Sequence, residues 1–392
     1  MQYRQDKHGE NISVLGYGCM RFTKNGMSVD IDKTEKEIMT AYENGVNYFD
    51  TAYVYPGSEA ALGEILERNG IRKSVKIATK LPHYMMKSYR DLDRYFSEEL
   101  KRLRTDYVDY YLIHMLNDVK TWDRLCQMGI LRWIEQKKAD GVIKNIGFSY
   151  HGNADMFCKL LDAYDWDFAQ IQYNYLDENT QAGRTGAEYA EKKHIPLIIM
   201  EPLRGGKLAN NLPKEAMKMF RDYPVKKSPA RWSFDWLWDQ SCVTCALSGM
   251  NSVDMVIENI LTADNSRVGK LTEADRELLK KVVSEINKNT NVPCTGCRYC
   301  MPCHKGVDIP GIFSAYNSLK TEGFLSAERQ YFMATSLRKD FTGASNCIEC
   351  GACEIHCPQG IEIRKELKNA KKVLENPIFT LVRKAAGLFV KY

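Results

Sequence analysis

Four residues in the first third of the chain are of the types that deliver a proton to a carbonyl oxygen: Asp50, Tyr55, Lys80 and His114. A phenol ordinarily titrates near pH 10 and is a poor acid at neutrality. An ammonium beside it would stabilise the phenolate and lower that pKa. A carboxylate paired with the ammonium would keep it charged and in place, and an imidazole would orient the carbonyl or relay the proton. Such a set makes a general acid for carbonyl reduction. Singly, each residue has a plainer reading: Lys80 and Asp50 as a structural ion pair, His114 as a core histidine. All four, however, fall at or just after the ends of three successive apolar runs, at residues 48–52, 75–81 and 108–114.

A second chemistry sits further along. Of 13 cysteines, eight lie between Cys294 and Cys357, as Cys294, Cys297, Cys300 and Cys303, then Cys347, Cys350, Cys353 and Cys357. Cysteines at every third position place three thiolates on one tight loop, enough to wrap one face of an iron–sulfur cubane whose fourth ligand comes from elsewhere. C-x2-C pairs also build zinc sites, but triplets favour clusters. A disulfide framework does not suit a long chain in a reducing compartment. Cys242 and Cys245 repeat the C-x2-C spacing at the start of an apolar run and read as core residues.

The elements that must carry these residues follow from hydrophobic patterning. Apolar runs at residues 14–20, 48–52, 75–81, 108–114, 143–150, 167–174, 195–203 and 243–250 alternate with helix-like segments that end in Gly, Asn or Asp-Gly signals. Eight strands alternating with helices are the count of a (β/α)8 TIM barrel, where strand ends share one cavity. A doubly wound sheet would carry a G-x-G-x-x-G loop, and Gly16-Tyr17-Gly18 is not one. The barrel is assigned to residues 1–290, with a hairpin turning near Gly9 as a plug over its bottom. Residues 291–366 form a small, mainly helical module with an internal repeat, and residues 367–392 a basic amphipathic tail. From Arg364 onward there are eight Lys and Arg against two Glu.

Composition excludes other classes. The chain has 392 residues, with 55 Lys and Arg against 50 Asp and Glu, a balance that argues against nucleic acid as a partner. No run approaches the roughly 18 apolar residues of a membrane helix. The polar N-terminal stretch lacks a signal-peptide core, so a cytoplasmic location is expected.

With these residues in place, the stretch from Asp50 to Glu59 resembles the D-T-A-x-x-Y-G-x-S-E motif of the aldo-keto reductases, with Pro56 where Gly is usual. Lys80 and His114 match the remaining tetrad positions. The resemblance implies a nicotinamide across the barrel mouth and Tyr55 as the acid. It further implies that Ser149 and Gln170 hold the nicotinamide amide and that Glu258 and Asn259 bind adenine. Met200 stands where many members stack a Tyr. Gly249 and Met255 stand where NADP-specific members carry Lys and Arg, so NAD, NADP and a flavin remain open as redox ligands. Arg204, beside two glycines, is the candidate for a phosphate contact, and Arg21 for a substrate carboxylate. The cysteine module resembles two-[4Fe–4S] ferredoxins, in which the fourth cysteine commonly serves the opposite cluster. That implies Cys294, Cys297 and Cys300 with Cys357, and Cys347, Cys350 and Cys353 with Cys303. The short spacing before Cys303 and the helical spacer resemble α-helical ferredoxins.

The expected function is a NAD(P)H-linked carbonyl reduction, or the reverse alcohol oxidation, on a small molecule, with two clusters for electron transfer or structure. An acidic ferredoxin or flavodoxin is the expected partner of the basic tail. Because hydride carries two electrons and a cluster one, direct exchange between them calls for a flavin. The alternatives are a flavin- or ferredoxin-coupled reductase and a nucleotide-binding redox sensor with slow turnover.

Overall fold

The computed structural model describes residues 1–336, 340–380 and 383. The chain divides into two compact units: Met1–Leu203 with Lys227–Ala274, and Arg204–Lys226 with Asp275–Tyr392.

The first unit is a closed parallel barrel of eight strands in sequential order: β1 (Leu15–Gly18), β2 (Tyr48–Asp50), β3 (Lys76–Leu81), β4 (Val108–Ile113), β5 (Ile143–Tyr150), β6 (Phe168–Gln172), β7 (Leu197–Met200) and β8 (Val243–Ser248). Each strand coincides with one of the eight apolar runs. Helices cross between strands; Ile31–Glu43, Ser58–Arg68 and Arg90–Leu103 follow the first three. Asp30, Asp118, Asn153, Ser228 and Ser252 cap helices by accepting a backbone N–H two or three residues into the first turn.

Strand side chains alternate between the two faces. Tyr48, Ala78, Tyr110, Leu112, Phe168, Ile198, Cys245 and Leu247 fill the barrel interior together with Ile12. Ile12 belongs to the N-terminal hairpin, Tyr3–Gln5 with Asn11–Ser13, which turns at Gly9 with φ 83°. The hairpin is anchored where Tyr110 donates its hydroxyl to Asp6 at 2.5 Å and Arg4 donates to the Trp238 carbonyl at 2.5 Å. Gly16 lies so close to this core that a Cβ there would stand 2.7 Å from the Cys245 sulfur.

The second unit is helical. Glu273–Lys288, Ile309–Thr321, Phe324–Thr335 and Ile363–Leu374 are its longer helices, and the spacer between the cysteine runs forms the middle two. They meet at Gly323, φ 87°. Val292, Ile312, Phe313, Tyr331, Leu367 and Leu374 are buried in its core, and six of the cysteines, all but Cys297 and Cys350, pack against it. The stretch before Cys294 is tied by Asn317, whose side chain accepts from the Val292 N–H at 2.8 Å and donates to the Val292 carbonyl at 2.7 Å.

The helix Ile363–Leu374 runs unbroken through residues 366 and 367, and its apolar face belongs to this core with Phe379. Ile378, the preceding residue, is exposed. The tail is also less basic than its own charges suggest. Arg364, Lys365 and Lys368 pair with Glu354, Glu362 and Glu349, each at 2.7 Å. Leu381, Val382, Lys384, Leu388 to Val390 and Lys391 lie outside the described residues. Among the described residues no helix is long and apolar enough to cross a membrane.

Candidate active site and cysteine centre

Two-residue alternation carries the interior of the barrel from apolar to polar. Two positions after Tyr48 comes Asp50, two after Ala78 comes Lys80, two after Leu112 comes His114, and two after Phe168 comes Gln170. All four side chains are buried; Asp50, Lys80 and His114 lie at or just past the C-terminal ends of their strands, the end where barrel enzymes place their chemistry, and Gln170 lies in the middle of β6.

Lys80 Nζ donates to Asp50 Oδ1 at 2.6 Å and to the Thr51 carbonyl at 2.6 Å. Gln170 Nε2 donates to the other Asp50 oxygen at 2.8 Å. A buried ion pair offsets its desolvation only when its remaining hydrogen-bonding capacity is filled, and here both partners have additional contacts. Tyr55 stands on the turn after β2, held by its own N–H to the Ala52 carbonyl at 3.0 Å and by Ser58 N–H to its carbonyl at 3.1 Å. Gly57, φ 76°, permits that turn. The Lys80 ammonium is 5.1 Å from the centre of the Tyr55 ring. The His114 ring is 6.2 Å away from the Tyr55 ring and perpendicular to it.

Electrostatics of this site differ from the expectation that Lys80 lowers the Tyr55 pKa. Burial pushes the Tyr55 phenol well above its ordinary value, and the charges of Asp50 and Glu201 push the same way. Burial is the larger cause, and the Lys80 ammonium that could have opposed it is paired with Asp50. Burial, with Lys80, His151 and His83 nearby, drives His114 well below the usual histidine range and keeps it neutral. Its Nδ1 is buried with no hydrogen-bond partner among the described residues.

Three further residues around His114 escaped the sequence reading. Tyr84 places its ring 6.1 Å from that of His114, and His83 packs against Tyr84 at 5.5 Å. His151 follows β5 directly and bonds Gln181 at 3.2 Å. The signal was their position two to three residues past β3, and one past β5, on the same rim.

The other candidates are placed as follows. Ser149, buried on β5, accepts from the Met115 N–H at 2.8 Å and keeps its own proton to donate. Met200 ends β7 against the barrel core. Glu258 accepts from Ser228, the cap of helix Pro229–Trp238, and Asn259 donates to Ser248 at the end of β8 at 3.0 Å. Arg21 is exposed, its stem over Gly249, where a Cβ would meet Arg21 Cδ at 3.0 Å. Arg204 belongs to the second unit, where its guanidinium donates to the Pro293 carbonyl at 2.9 Å.

In the second unit the cysteines line two cavities. Cys294, Cys297, Cys300 and Cys357 line one, with apolar walls of Ile309, Phe313, Ile361 and Ile363. Cys303, Cys347, Cys350 and Cys353 line the other, with Cys300 at its edge. The two cysteine loops share a backbone pattern: Gly296 and Glu349 at φ 74° and 59°, Arg298 and Gly351 at φ 67° and 77°. Each position sits one residue before or after the middle cysteine of its triplet. Burial raises the thiol pKa of Cys294 and Cys297, that of Cys300 to about 12 and that of Cys353 to about 11. Each set is a crowd of soft thiol donors, and that donor chemistry fits a metal cluster.

Comparison with known proteins accords with this arrangement. The sequence pattern of the aldo/keto reductase family matches residues 14–282, and that of a 4Fe-4S dicluster domain matches residues 293–362. An aldo-keto reductase of Mycobacterium sp. (strain MCS) is 32% identical over 162 residues, 39% of this chain and 50% of that protein. The aldehyde reductase YPR1 of Saccharomyces cerevisiae is 29% identical over 180 residues, 46% and 48% of the two. The chain therefore spans about half the length of these relatives. In fold it is similar to an aldo-keto reductase from Bacillus halodurans in its holo form, with TM-score 0.60 at 23% identity over 72% of this chain and 96% of that one. A Klebsiella pneumoniae aldo-keto reductase in complex with NADPH gives TM-score 0.56 at 18% identity, with the same coverage. With a closed eight-stranded barrel beneath the matched residues and the cysteine loops beneath the second pattern, the chain belongs to the aldo/keto reductase family and carries a 4Fe-4S dicluster domain.

Proposed function

We propose that this chain is an oxidoreductase that reduces the carbonyl of a small molecule, with Tyr55 as the general acid. The observation that carries the reading is the polar layer in which Tyr55 and His114 face each other beside the Lys80–Asp50 pair. A nicotinamide cofactor, when bound, supplies the hydride; Ser149 and Gln170 would hold its amide, Met200 would lie against its ring, and Glu258 and Asn259 would meet its adenine. Tyr55, kept protonated by its surroundings, donates its proton to the carbonyl oxygen. Neutral His114 holds that oxygen in line with the phenol, and Lys80 fixes the site by locking Asp50. As the proton leaves, the Lys80 ammonium steadies the phenolate more than the phenol, which is where its charge acts. Arg21, exposed at the end of β1, would meet a substrate carboxylate. Turnover of aldehydes by Tyr55→Phe protein tests the reading.

The cysteines are assigned as ligands of two [4Fe–4S] clusters: Cys294, Cys297, Cys300 and Cys357 for the first, and Cys347, Cys350, Cys353 and Cys303 for the second. The support is the pair of cavities lined by these sets. An acidic electron carrier is the proposed partner of the second. Cys350 is exposed, and Lys371 and Lys372 are exposed on the neighbouring helix with no ion pair among the described residues. Opposite charge steers such encounters.

A further inference from the structure

The eight cysteines of the second unit are not equally covered. Cys294, Cys297, Cys300 and Cys357 lie against walls that include the buried Ile309, Phe313, Ile361 and Ile363. In the second set Cys350 is exposed, alone among the eight, and exposed apolar side chains stand beside it. Ile348 is 57% exposed and lines the same cavity as Cys350. Ile355 is 82% exposed and ends the short helix Ala352–Ile355, whose Ala352 and Cys353 line that cavity, as does His356 directly after it. A single apolar side chain on a surface needs no explanation, but a group of them rimmed by polar residues marks a contact site.

The charges around this loop select the partner. Its own acids are neutralised: Glu349 pairs with Lys368 and Glu354 with Arg364, each at 2.7 Å. Lys305, which lines the cavity, has no ion pair among the described residues, and neither have Lys371 and Lys372, three and four residues beyond Lys368 on the helix Ile363–Leu374. Residues at that spacing share a helix face, so the rim is left positive. An apolar centre inside a positive rim fits an acidic protein, and an exposed thiol of a cluster-binding set fits one that carries electrons. We propose that Ile348 and Ile355 are the apolar anchors of a docking face, rimmed by Lys305, Lys371 and Lys372, on which an acidic one-electron carrier protein seats beside Cys350. One electron leaves the carrier, which is oxidised, and enters the second cluster, which is reduced; no bond forms or breaks. This rests on reading Cys347, Cys350, Cys353 and Cys303 as cluster ligands, and it gives the carrier proposed above its contact residues.

The test is stopped-flow mixing of anaerobically purified, oxidised protein with reduced flavodoxin, an acidic carrier whose flavin gives up one electron to become a semiquinone with its own absorbance. Wild type, Ile355→Ser, Ile348→Ser and Ile355→Leu are compared, with iron and sulfide measured in each. Reduction by dithionite, too small to need a docking face, is run alongside. The expected result is a second-order rate constant for flavodoxin about tenfold lower in each serine variant, the scale of a lost apolar anchor. Iron content and the dithionite rate stay unchanged, Ile355→Leu recovers the flavodoxin rate, and the wild-type rate falls as salt rises. Wild-type flavodoxin rates in both serine variants overturn the proposal, as does a salt-independent rate or a cluster that dithionite reduces and flavodoxin does not. A parallel loss of the dithionite rate makes the isoleucines supports of the cluster itself and overturns it too. A dimer of the protein alone that Ile355→Ser dissociates assigns the face to a second copy, with the same consequence. Wild-type protein without cluster iron overturns the cysteine assignment, and the docking face with it.

Discussion

The Lys80 ammonium lies 2.6 Å from Asp50 Oδ1 and 5.1 Å from the centre of the Tyr55 ring, so one buried charge faces a carboxylate and a phenol at once. The carboxylate holds it, and the phenol remains protonated. This makes the Tyr55 hydroxyl the group to remove first. Tyr55→Phe is expected to leave the fold intact and cut aldehyde reduction by at least about a hundredfold, the scale of a lost general acid. Near wild-type turnover would take Tyr55 out of the mechanism.

The same pair predicts a stability effect. Lys80→Met leaves the buried Asp50 carboxylate without its ammonium and is expected to cost about 3–5 kcal/mol. The double variant Lys80→Met, Asp50→Asn is expected to recover part of that loss, because no uncompensated charge remains. Urea unfolding of the three proteins measures it, and a double variant no more stable than the single one contradicts the account.

Three buried histidines set a pH dependence. Burial lowers His83 and His151 to about 4 and His114 well below its usual range. A histidine whose folded pKa lies below its unfolded value of about 6.5 takes up a proton more readily in the unfolded chain. Its contribution is complete above pH 6.5 and is lost as pH falls toward about 4. The urea midpoint should therefore drop steadily over that window, and less steeply in His83→Phe. A midpoint that rises on acidification across the same window refutes this.

Protein purified without oxygen is expected to hold close to eight iron and eight sulfide per chain, the sum for two [4Fe–4S] clusters. Cys357→Ser should remove the cluster of the first triplet and spare that of the second. A zinc-filled, iron-free sample would contradict the assignment.

The ligand loops predict a backbone effect. Gly296 is left-handed at φ 74°, and a Cβ there would meet nothing within 4 Å. Gly296→Ala should thus cost about 1 kcal/mol through conformation alone. Arg298→Gly, at the neighbouring left-handed position, should cost nothing measurable. The rate of iron loss to a chelator on heating compares the two, and equal rates would place the strain elsewhere.

Much of this protein was legible in its sequence because the relevant signals are local. Each barrel strand announces itself as an apolar run bounded by turn residues, and two-residue alternation carries Asp50, Lys80, His114 and Gln170 inward beyond Tyr48, Ala78, Leu112 and Phe168. The cysteine repeat is equally local in its spacing. Tertiary structure alone decided what depends on distance through space. It brought His83, Tyr84 and His151 around His114, and set acids beside Arg364 and Lys368. It also moved Arg204 into the second unit, onto a carbonyl 89 residues away. Charge–charge energies fall with separation through space rather than along the chain. A chain's order therefore shows which groups it owns, while the fold determines which of them neutralise one another.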